Sequence, residues 1–200
     1  MKTSFEKLKR GYRQFRHEYA SGKQSLMEQL AQEGQKPEIM IVACSDSRVD
    51  PSLILGCHPG DLFVVRNVAN IVPPYERDEK HHGTSAALEF AVYYLQIKHL
   101  IILGHSHCGG IHALLQKKQL AQNDFITHWV SLLDNENNAS TNPDTVAKNT
   151  LAISYQNCLT FPWIKSRVTA GTLEIHRWFF DIQSSEIQVY SSTSKNYEPF

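Results

Sequence analysis

Two hundred residues suit a single domain and are enough to bury a sizeable core. Twenty Lys+Arg balance twenty Asp+Glu, so no net field recommends nucleic acid or an acidic surface as a partner. A hydrophobic share of 42% with 20% charged residues is that of an ordinary globular chain, and ten histidines lean toward metal or pH-linked chemistry.

The chain opens on Met1-Lys2-Thr3-Ser4-Phe5-Glu6-Lys7, which lacks the apolar segment of a secretory leader. No apolar run approaches the roughly 20 residues of a membrane-spanning helix, so no membrane is expected. Four scattered cysteines do not read as a disulfide framework, and a reducing cytoplasm is the expected location. Residues 4–33 read as helix. Phe5, Leu8, Tyr12, Phe15 and Tyr19 recur at helical spacing, Ser21-Gly22 interrupts, Leu26, Met27 and Leu30 resume, and Gly34 stops the run. This aromatic arm can pack on its own domain or on a second subunit.

Residues 39–43 form a short apolar run rich in β-branched side chains, which predicts a strand buried on both faces. Asp50-Pro51 starts a short helix through Leu55. Leu62-Phe63-Val64-Val65 predicts a second buried strand, and Pro73-Pro74 a loop. Thr84 or Ser85 caps a helix to about Gln96, with Ala87, Leu88, Ala91, Val92 and Leu95 inward. Residues 100–103 predict the third strand, and Gly109-Gly110 opens a helix from Ile111 to about Lys118. Residues 125–160 read as helical with a polar break at 135–142, and Pro162 begins a further turn. Residues 173–182 and 186–190 predict two strands joined by Gln183-Ser184-Ser185, as a hairpin or edge addition. Residues 191–200 read as a polar tail.

Strands alternating with helices predict an α/β fold. It has a mainly parallel central β-sheet flanked by helices, an N-terminal helical arm and a C-terminal antiparallel strand addition. With no repeat or linker, residues 1–200 form one domain: arm 1–34, core 35–190, tail 191–200.

Two of the apolar runs end in metal-capable side chains. Cys44 follows the first, and His105 and Cys108 follow the third. Ligands gather beyond the carboxyl ends of such strands. Two cysteines and a histidine suit zinc, and three protein ligands leave a fourth position open for chemistry. The plainer reading, buried thiols and a loop histidine, loses because both sets end strands at the same sheet edge. Two thiolates cancel the formal charge of Zn²⁺, so a bound water is acidified less than the pKa of about 7 seen with three histidines. Asp46 can then orient the resulting hydroxide, and Arg48 can hold Asp46 ionised. An incidental surface ion pair is the weaker reading of these two.

The stretches Cys44-Ser45-Asp46-Ser47-Arg48, Pro59-Gly60-Asp61-Leu62-Phe63-Val64-Val65-Arg66-Asn67-Val68-Ala69-Asn70 and Gly104-His105-Ser106-His107-Cys108-Gly109-Gly110 closely resemble the β-class carbonic anhydrases. The segment from Arg66 to Pro74 looks most like the plant-type branch. The resemblance implies reversible hydration of CO₂ to bicarbonate and a proton, by attack of zinc-bound hydroxide, with one Zn²⁺ per chain. It implies that Cys44, His105 and Cys108 are the zinc ligands and Asp46 and Arg48 the catalytic dyad. Gln35 matches a glutamine that reaches the substrate across a dimer interface. Phe63, Val68 and Phe90 match apolar pocket residues, Phe90 standing where the branch usually has tyrosine, and Gly109 matches a glycine whose backbone faces the substrate. Ordinary core is the plainer reading of the three apolar residues. Some members bind the dyad aspartate to zinc and carry a regulatory tryptophan three before the first cysteine. Ile41 stands there, so an open site with Asp46 paired to Arg48 is expected.

A homodimer, or a dimer of dimers, is expected with the family. His81, His82, His107 and His112 are candidate proton shuttles, each more simply a surface histidine. Cys57 and Cys158 read as buried thiols. Two other readings are a related zinc hydrolase of CS₂ or COS, and a non-catalytic zinc-stabilised interaction protein. An intact Asp46, Arg48 and Gln35 speak against the second, because a structural zinc needs no oriented hydroxide.

Overall fold

A computed structural model describes residues 3–22, 24–78, 80–116, 125–134 and 140–200. Six strands form one sheet: β1 (Ile39–Cys44), β2 (Leu62–Asn67), β3 (His99–His105), β4 (Glu174–Asp181), β5 (Glu186–Ser191) and β6 (Asn196–Pro199). Their spatial order is β2-β1-β3-β4-β5-β6, parallel through β4 and antiparallel beyond it. The α/β expectation is met.

The central strands are the apolar runs, β-branched and covered on both faces, as parallel sheets require. Met40, Ile41, Val42 and Ala43 of β1 and Leu100 and Ile102 of β3 are fully buried. The flanking elements are α3 (Pro51–Leu55), α4 (Gly83–Tyr93), α5 (Gly109–Leu115), α6 (Phe125–Ser131), α7 (Pro143–Cys158) and α8 (Pro162–Thr169). Asp50 and Asn142 cap α3 and α7 with their side chains, each with proline at the next position, where a missing N–H costs nothing. No described helix is long and apolar enough to cross a membrane.

Several expectations change. β2 is only half-buried rather than a covered strand, because it is the outermost strand on its side of the sheet. β4 is not a mere edge addition: it pairs in parallel with β3 from His99↔Glu174 to His105↔Phe180, and only β5 and β6 are antiparallel. The tail is corrected too, because residues 196–199 form the last strand of the sheet. Helix α4 starts at Gly83 after His82, without a side-chain cap, and ends at Tyr93. The Thr84 hydroxyl instead accepts from Asn67 Nδ2. Helix α5 runs through Leu115, and the expected extension to Lys118 lies outside the described residues, as does most of the 135–142 break.

The N-terminal segment forms α1 (Ser4–Tyr19) and α2 (Leu26–Glu33), with Gly34 at φ 76° after the second. Neither helix has a fully buried residue. Phe5, Leu8 and Tyr12 are each more than 60% exposed, so this part of the apolar stripe of α1 is not covered by the described residues, while Tyr19 at its end touches His58.

Candidate metal centre and active-site pocket

Because β1 and β3 are neighbours in register, their carboxyl ends deliver Cys44 and His105 side by side. Cys108 follows a tight turn and sits at the N-cap of α5. The three side chains are 1–4% exposed, and their ligating atoms all lie within 4.8 Å of one another. Cys44 Sγ and Cys108 Sγ are 3.9 Å apart. His105 Nδ1–H donates to the carbonyl of Ser106 at 2.9 Å, which leaves the Nε2 lone pair facing inward. That buried Nε2 has no hydrogen-bond partner. An orphaned imidazole nitrogen beside two thiols is the donor set of a zinc site, and tetrahedral ligation at about 2.3 Å per sulfur suits this sulfur separation.

The sulfurs also suit a cation on electrostatic grounds. The Cys44 thiol is pushed down, first by the hydrogen bond from Cys108. The Cys108 thiol is pushed up by that same bond and by burial. The pair readily holds one negative charge and resists a second, and a dication removes that resistance.

Asp46 follows Cys44 by two residues and forms a fork with Arg48. Arg48 Nε donates to Oδ1 at 2.9 Å and Nη2 to Oδ2 at 2.7 Å. Hydrogen bonding to Arg48 holds the Asp46 carboxyl well below the usual carboxylate range. The expected pairing is therefore present, and Ile41 is a fully buried core residue of β1. Arg66 of β2 fixes the loop from below. Its Nε donates to Cys44 O at 2.9 Å, Nη2 to Asp46 O at 2.7 Å and Nη1 to Asp50 Oδ2 at 2.9 Å.

The opposite wall comes from the turn after β2. Ala69, at φ 63°, and Asn70, at φ 46°, adopt left-handed backbone that non-glycine residues rarely take. Asn67 holds this turn by accepting from Ile71 N and donating to Ile71 O. The turn presents Val68 to a cavity of about 350 Å³ lined also by Cys44, Ser45, Asp46, Gly109, Gly110 and Ile126. Trp129 Nε1–H donates to Val68 O at 2.7 Å and ties α6 over the same wall. A larger hollow of about 500 Å³ near Tyr75 and Trp163 contains neither the thiols nor the dyad.

Thus Cys44, His105, Cys108, Asp46, Arg48, Val68 and Gly109 come together, while Gln35, Phe63 and Phe90 do not line this cavity within one chain. Gln35 is exposed between α2 and β1. Phe63 and Phe90 stack on each other with centroids 5.8 Å apart, and Phe90 is 41% exposed. Sequence reasoning missed Ile126, whose stretch carries no signal beyond helical periodicity. Of the histidines, His82 pairs with Asp78, and His81, His107 and His112 are exposed. Cys158 is fully buried as expected, but Cys57 is only half-buried.

A family model described as carbonic anhydrase matches residues 39–187. A carbonic anhydrase of Synechococcus elongatus is 36% identical over 95% of this chain and 73% of its own length. The solved β-carbonic anhydrase CcaA superposes with a TM-score of 0.88 at 33% identity, covering 99% of this chain and all of that one. The chain belongs to the β-class carbonic anhydrases. The enzyme catalyses the zinc-dependent, reversible hydration of CO₂ to bicarbonate and a proton. A solved chain from a structure report on two tetrameric β-carbonic anhydrases of Sordaria macrospora shares 30% identity with it, at a TM-score of 0.72 over 93% of each chain.

Proposed function

We propose that Cys44, His105 and Cys108 hold the one zinc ion of each chain and that CO₂ reacts in the cavity beside them. The observation that carries this reading is the orphaned, buried His105 Nε2 next to two sulfurs 3.9 Å apart. Zinc held there supplies a Lewis acid that makes water a nucleophile near neutral pH. Asp46 accepts a hydrogen bond from the nucleophile and so turns a lone pair toward CO₂. Arg48, bound to both Asp46 oxygens, keeps that acceptor charged and fixed. Val68 and Ile126 give a small, uncharged substrate an apolar wall, with no charged clamp needed. Gly109 lines the cavity, and on this reading its backbone N–H donates to the oxygen on which charge develops.

Gln35, Phe63 and Phe90 belong, on this reading, to a pocket completed by a second copy of the chain, Gln35 acting as a further donor. The exposure of Gln35 and Phe90 supports it, as does the uncovered apolar stripe of α1. The assembly is then a homodimer or a dimer of dimers, with the single domain of residues 1–200 as its unit. Four unpaired cysteines favour the reducing cytoplasm.

Stopped-flow CO₂ hydration tests the site. Cys108→Ser is expected to lose zinc and turnover together. Asp46→Asn should keep its zinc and lose activity by about 10–100-fold, the usual cost of removing a partner that orients a metal site. Equal rates in wild type and both variants would remove the basis of this reading.

A further inference from the structure

At the other end of the sheet a second set of ligating side chains converges. His99 opens β3, and Glu174 and His176 lie at the start of β4. The parallel register pairs His99 with Glu174 and Ile101 with His176. Side chains two apart on a strand point the same way, so all three share one face. His99 Nδ1 and His176 Nε2 are 3.1 Å apart, and Glu174 Oε2 lies 3.6 Å from each of those same two atoms. A triangle with these sides has a point about 2.0 Å from every corner, which is the bond length of zinc to imidazole nitrogen and carboxylate oxygen. A plain hydrogen bond between two histidines accounts for the 3.1 Å separation. It does not account for a carboxylate oxygen set equally far from both nitrogens.

We propose that His99, His176 and Glu174 form a second divalent transition-metal site, separate from the catalytic centre and built from two imidazoles and one carboxylate. The set contains no thiolate, so it takes Zn²⁺ and its first-row neighbours with a preference unlike that of the Cys44–His105–Cys108 centre. The side chains of His99, His176 and Glu174 are 41%, 28% and 68% exposed, so an ion reaches them without opening the core, and water can complete its coordination. A cavity of about 400 Å³, lined by His99 and Glu174 together with Lys98, Arg167 and Thr172, adjoins the site. An ion here fastens the start of β4 to the start of the strand that delivers His105. The site lies outside the reacting cavity, and its loss leaves turnover intact.

The test is zinc stoichiometry after equilibrium dialysis of the holoenzyme against micromolar free Zn²⁺. Wild type is expected to hold about two zinc ions per chain, and His176→Ala and His99→Gln about one each, with CO₂ hydration unchanged as the control for folding. One zinc per chain in wild type, or a second zinc that survives both substitutions, overturns the proposal. Should the variants fail to fold, Co²⁺ added to the zinc holoenzyme decides. A cobalt d–d spectrum free of thiolate charge transfer supports the site. No such spectrum, or one carrying that band, overturns it.

Discussion

Burial separates the cysteines by what they can react with. Cys158 is fully buried, and desolvation pushes its thiol far above the ordinary range. Cys57 is half-buried and is also raised, by desolvation and then by the nearby Asp61 charge. The thiolate is the reactive form. Iodoacetamide on the folded zinc enzyme near neutral pH should therefore leave Cys158 unlabelled and modify Cys57 more slowly than a free thiol. Peptide mass spectrometry checks this, and label on Cys158 before unfolding would contradict it. At this scale the sequence was most legible where polar chemistry interrupts an apolar run, as at Cys44 and His105. Ile126 was invisible because an apolar residue in a helical stretch looks the same whether it faces a core or a cavity. Gln35, Phe63 and Phe90 were recognised by likeness alone, and spacing along one chain gives no way to learn that they stand apart from the cavity.

Two adjacent glycines at the head of α5 carry opposite constraints. A Cβ on Gly110 would meet Val68 Cγ1 at 2.7 Å, Ala69 Cβ at 2.8 Å and Ala69 N at 3.2 Å. The left-handed turn below has no room to give, so Gly110→Ala should destabilise by about 1–3 kcal/mol, the usual cost of overpacking. A Cβ on Gly109 meets nothing within 4 Å. Gly109→Ala should keep its stability yet lower kcat/KM, since the methyl group enters the cavity beside the thiols. Urea denaturation and stopped-flow assays of the two variants separate these outcomes, and equal stability of both would refute the packing argument. Strand existence was legible from apolar runs, but strand partners were not. Nothing local tells that β4 joins β3 in parallel, or that Asn196–Pro199 adds to β5. The polar sequence of residues 191–200 concealed a strand because Tyr197 supplies its main inward contact, reaching Phe179 and Tyr190.

For the molecule as a whole, α1 is the anomaly. Its Phe5, Leu8 and Tyr12 form an apolar stripe that no described part of the chain covers. Replacing all three with serine should shift the enzyme toward smaller species in sedimentation velocity at micromolar concentration. Turnover per chain should fall with it, if Gln35 serves a neighbouring pocket. An unchanged sedimentation coefficient would free α1 from any role in assembly. The helical periodicity was legible here, and so was the need for a cover. Which surface provides it was not, because the stripe records only that apolar area must be hidden.

Arg66 has a bearing on protein engineering. The five residues from Cys44 to Arg48 look like a portable cassette, but two of their backbone carbonyls are held by a guanidinium from the neighbouring strand. Grafted onto the end of some other strand, the pentapeptide would lose that support and its loop would relax. The smallest transplantable unit is a pair of parallel strands with the arginine between them.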